Sequence, residues 1–81
     1  MNNSTMKDVV HSILSEIVED VAGLNVEEKA GNNSSAISIV TNRADTGKII
    51  GKAGNTIKSL RAIIRAIGAK RNIRCNLYII D

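Results

Sequence analysis

The stretch Ile49-Ile50-Gly51-Lys52-Ala53-Gly54-Asn55-Thr56-Ile57-Lys58-Ser59-Leu60 constrains the fold more than any other part of the chain. Glycines separated by only two residues let the backbone reverse sharply, and without a Cβ they let another chain come close. Upstream, Asp45 is a candidate N-cap for a short helix over Thr46–Ile50. Downstream, Ile57, Leu60, Ile64 and Ile67 recur at helical spacing, so a longer helix begins near Asn55. Its first amides point back at the turn, where free N–H groups and the helix dipole attract phosphate oxygens. Lys52 adds a full positive charge inside the turn.

The flanking sequence supplies the scaffold for that turn. Thr5-Met6-Lys7-Asp8 fits a capping box, with Asp in the place of the commoner Glu, and Met1–Ser4 before it is polar enough to fray. Val9, Val10, Ile13, Leu14, Ile17, Val18 and Val21 then predict one helix that runs to Gly23. His11 sits at the edge of its apolar face and has no triad or ligand set near it in sequence. Leu24, Val26, Glu28 and Ala30 alternate with polar residues as a half-exposed edge strand does. Gly31–Ser35 is a turn by composition, and Ala36–Thr41 is the second strand of an antiparallel hairpin. After the helix–turn–helix, Gly68 weakens the second helix near its end, and Ile73, Cys75, Leu77 and Ile79 mark the last strand. The order helix, strand, strand, helix, turn, helix, strand predicts an α+β fold with a three-stranded mixed sheet and helices on one face. With 81 residues, the chain makes a single domain over 1–81. Its only aromatic residue is Tyr78, so the core must be aliphatic.

Charge is distributed unevenly. Met1–Asn42 carries two basic residues against six acidic ones, whereas Arg43–Asp81 carries nine against two. The basic half holds the glycine turn, which suggests a polyanionic partner on that face. Cys75 is alone, so no intramolecular disulfide can form, and no metal or cofactor is implied. The apolar runs are too short for a membrane span, and a cytoplasmic setting is expected.

The pattern I-I-G-x-x-G-x-x-I-x-x-L resembles the core motif of the KH domain, an RNA-binding module whose GxxG loop clamps single-stranded backbone. The element order is similar to the type II topology of that family, and the resemblance covers nearly the whole chain. It implies single-stranded RNA binding by Lys48, Ile49, Ile50, Gly51, Lys52, Ala53, Gly54, Asn55, Ile57 and Lys58. Gly51–Gly54 would be the clamp and Lys52 its basic residue. Ile49, Ile50 and Ile57 would form the apolar groove or the core beneath it. Ile39 and Arg74 would be less direct neighbours. Ala53 stands where other members carry a polar or basic residue, which implies modest affinity. Free-standing type II domains of this length resemble a small bacterial RNA-binding protein that self-associates, pairs with a larger KH-containing protein, and acts through RNA, as a regulator or RNA chaperone, in cell elongation and division.

Two other readings follow from the residues. Thr46-Gly47-Lys48 and Gly51-Lys52 evoke a phosphate loop, but G-x-x-x-x-G-K-[ST] is absent and Ala53 stands where a metal-binding hydroxyl belongs. No acid–base pair or nucleophile–base arrangement is legible, so an enzyme is not expected. The rival is a non-catalytic pairing module. Ile63 and Ala66 extend the apolar surface of the second helix beyond its core stripe, and they mark a possible homodimer surface.

Overall fold

The first helix, α1 (Met6–Ser15), starts where it does because Thr5 and Asp8 satisfy each other. Asp8 N donates to Thr5 Oγ1 and Thr5 N donates to Asp8 Oδ2, both at 3.2 Å, which completes the capping box. The computed structural model describes residues 5–80, so the expected fraying of Met1–Ser4 lies outside the described residues.

α1 ends at Ser15, well before Gly23. Ile17 and Val18 still face the core, but they do so from a turn closed by the Ile17 and Val18 amides onto Leu14 O, at 2.9 and 3.0 Å. The cause lies far along the chain. The Asp45 carboxylate accepts from the backbone amides of Glu19 and Asp20, each at 3.1 Å, and holds that segment outside the helix. Asp20 then caps a single 3₁₀ turn, Val21–Gly23, through Gly23 N. Helical spacing continues through this segment, but the backbone amides that would extend the helix are engaged elsewhere.

β1 (Asn25–Gly31) pairs antiparallel with β2 (Ser34–Val40), and β2 pairs parallel with β3 (Arg74–Ile79), in the order β1-β2-β3. The hairpin turns on Asn32 and Asn33, the latter at φ 59°. β2 thus begins earlier than its composition indicates. Ser34 and Ser35 read as turn residues, yet they lie in the ladder, where Ser35 Oγ donates to Glu28 Oε2 at 2.5 Å. One sheet face carries Val26, Ile37, Ile39, Cys75 and Leu77 into an aliphatic core with Val10 and Leu14 of α1. Burial pushes the Cys75 thiol above its ordinary pKa.

α2 (Arg43–Ile50) is capped by Asn42, whose side chain accepts from Asp45 N at 2.8 Å. Asp45 is therefore not the cap. It sits in the first turn and turns inward to the Glu19–Asp20 backbone. α3 (Asn55–Lys70) packs Ile57, Leu60 and Ile64 into the core. It ends in a Schellman motif, with Asn72 at φ 60° and Ile73 N donating to Gly68 O at 2.7 Å. Gly68 is needed for packing: a Cβ there would lie 2.5 Å from Ile73 O and 2.9 Å from Cys75 Sγ. Among the described residues, no helix is long and apolar enough to cross a membrane.

Asp45 links α2 to the segment after α1, and its ionised form does the linking. The Glu19 amide, then the Asp20 amide and the Lys48 charge, hold its carboxyl below the ordinary 3.8, against the opposing effect of burial. A lowered native pKa gives stability that is whole above the unfolded value and is lost as pH falls through the native one. Asp45→Asn should lower the melting temperature by several degrees at neutral pH and flatten the acid limb of a melting-temperature series below about pH 4.

Candidate nucleic-acid interface

The turn between α2 and α3 is built from unusual backbone. Gly51 has φ 76° and ψ 175°, Ala53 φ 55° and ψ 25°, and Gly54 φ 75° and ψ 13°. Lys52–Gly54 forms one 3₁₀ turn, closed by Gly54 N donating to Gly51 O at 3.1 Å. The two glycines are required for different reasons. A Cβ on Gly51 would overlap the Thr56 side chain and lie 2.9 Å from Thr56 N. A Cβ on Gly54 would meet nothing within 4 Å, so only its φ demands glycine, and the space above it is open. Ala53 holds a left-handed conformation at a cost of roughly 1–2 kcal/mol. In sequence it is only a small neutral residue; the strain becomes visible in the backbone.

α3 starts after Gly54 without a side-chain cap; Asn55 N donates to Lys52 O, and no capping side chain takes the amides that follow. Lys52 and Lys58 are exposed and, among the described residues, form no ion pair. Lys48 is different. Its Nζ pairs with Glu19 and lies 3.8 Å from Asp45, so its charge is directed into the α1–α2 junction. Ile49 is fully buried and Ile57 is 7% exposed, so both support the turn from beneath. Ile50, 37% exposed, supplies apolar surface beside Gly51, and Asn55 is exposed at the start of α3.

Of the less direct neighbours, Ile39 is a core residue of β2. Arg74 opens β3 at the opposite end of α3, a helix of 16 residues, about 24 Å long. Arg61 has a role the sequence does not disclose: its Nε and Nη2 both donate to Leu77 O at 3.3 Å, across the edge of β3. This contact places the Lys58, Arg61 and Arg65 flank of α3 beside β3. Ile63, 49% exposed, and Ala66 lie outside the core, on other faces of the same helix.

A model of the KhpA/KhpB KH domain matches residues 7–79. The RNA-binding protein KhpA of Aquifex aeolicus is 35% identical over 78 residues, 96% of this chain and 99% of its own. That of Halalkalibacterium halodurans is 36% identical over 76 residues, 94% of this chain and all of its own. That of Bacillus subtilis is 26% identical over 81 residues, the full length of both.

The different demands on the two glycines are separable by substitution. Gly54→Ala should destabilise by about 1–2 kcal/mol, the left-handed penalty alone. Gly51→Ala should lose more in the same urea titration, because Thr56 must also move.

Proposed function

The chain belongs to the KhpA/KhpB KH-domain family, and on that footing we propose that it binds single-stranded RNA through the Gly51–Gly54 turn. The observation that carries the reading is the conjunction at one place of an open glycine, a helix start without a side-chain cap, and two lysines that form no ion pair among the described residues. Phosphate oxygens approach over Gly54, accept from amides in the first turn of α3, and are held by Lys52 and Lys58. Roughly four nucleotides occupy the clamp. Bases rest on aliphatic surface that includes Ile50, because Tyr78 is the single aromatic residue of the chain; recognition leans on backbone, and sequence preference is weak. Lys48 contributes less than its position in sequence indicates, since Glu19 shares its charge.

The cellular role follows as part of the same proposal. The protein acts in the cytoplasm, as a post-transcriptional regulator or RNA chaperone in cell elongation and division, together with a KhpB-like partner. Self-association uses the outer side of α3, where exposed Ile63 lies near Ala66. That exposed isoleucine also favours a second reading, in which pairing is the main activity and RNA binding is weak.

Lys52→Asp combined with Ala53→Asp should abolish binding of a labelled RNA oligomer while the circular dichroism spectrum and melting temperature stay near wild type. In the wild type, two lysine–phosphate contacts predict a log–log salt slope of about −1.4. Unchanged affinity in the double variant removes the clamp. Ile63→Asp should convert a self-associating species to monomer in sedimentation velocity, with RNA binding per chain retained in part. An unchanged profile removes that surface.

A further inference from the structure

A cavity of about 740 Å³ lies at the far end of α3 from the glycine turn, among the β1–β2 hairpin tip, the end of α3 and the start of β3. Arg65, Arg74, Asn32, Asn33, Asn72 and Asn76 line it. Among the described residues, none of these six side chains has a hydrogen-bond or ion-pair partner. Among the described residues no carboxylate lines the cavity, and its apolar wall is Ala69, Ile73 and Cys75. Two arginines and four asparagines, without such partners among the described residues, thus line one opening. Guanidinium groups match phosphate, and each amide offers both donors and an acceptor, as the edge of a nucleobase requires.

The cavity is also connected to the turn. Lys58 and Arg65 are spaced by two helical turns, with Arg61 between them reaching the Leu77 carbonyl, so a basic flank runs along α3 from the glycine turn to the cavity. We infer that the cavity is a second RNA subsite: a strand held at Gly51–Gly54 continues along this flank and places a nucleotide between Arg65 and Arg74. This rests on the reading of the turn as an RNA clamp. Arg65 stands about 15 Å along α3 from its start, so only a strand longer than the roughly four nucleotides of the clamp reaches the cavity.

The test is amide chemical-shift mapping on the labelled full chain with uridine oligomers of about four and about twelve nucleotides, and with uridine monophosphate. The short oligomer should move only the amides of Gly51–Lys58. The long one should also move those of Arg65, Ala69 and Asn72–Asn76. Replacing Arg65 and Arg74 by Glu should weaken the long oligomer about tenfold and leave the short one unchanged. The milder Arg65→Gln, Arg74→Gln pair should show the same selectivity. Identical footprints for the two oligomers, with neither arginine pair changing affinity, overturn the subsite and leave the clamp standing. Cavity shifts with the monophosphate but not with the long oligomer also overturn it, because the cavity then takes free nucleotide. Cavity shifts with the long oligomer and none at the turn support the subsite and remove the clamp instead.

Discussion

The reversal between α2 and α3 depends on backbone that only a few residue types adopt. Gly51, Ala53 and Gly54 all have positive φ, and Gly51 lies so close to Thr56 that no side chain fits between them. This contact ties the end of one helix to the first turn of the next. It fixes the start of α3 beside Gly54, and Lys52 lies outside, in solvent. A looser connection would form the same two helices but would not hold their ends in one geometry.

The scaffold keeps that geometry by aliphatic packing, with Asp45 as its polar anchor. Ile49 and Ile57 sit on either side of the turn in sequence and are both buried, so the turn cannot shift without disturbing the core. Asp45 holds α2 to the Glu19–Asp20 backbone, and Lys48 closes the same junction from outside. Glu19 and Asp45 are thus used within the fold, while Lys52 and Lys58 have no ion-pair partner among the described residues. The uneven distribution of charge along the chain becomes, in three dimensions, a basic flank on α3.

Most of the fold was legible in the sequence because its signals are local. The Thr5–Asp8 box, the alternation in β3 and the apolar stripe of α3 each report on neighbouring residues, and each is present in the structure. What was not legible depends on distant partners. The α1 stripe continues past Ser15, and only the Asp45 carboxylate, 26 residues beyond Glu19, explains why the helix does not. Asp45 has the composition of a cap, but Asn42 takes that position and frees the carboxylate for its distant role. Within the candidate site the glycines and lysines could be named in advance. The pairing of Lys48, the strain at Ala53 and the contact of Arg61 with β3 could not, since each depends on how separate elements pack.

A crystal structure of the protein with a bound tetranucleotide would decide whether RNA sits on the turn. A phosphate oxygen should lie over Gly54, within hydrogen-bond reach of the amides in the first turn of α3, with the Lys52 ammonium beside it. RNA seated on the solvent face of the sheet, with the turn left bare, would contradict it.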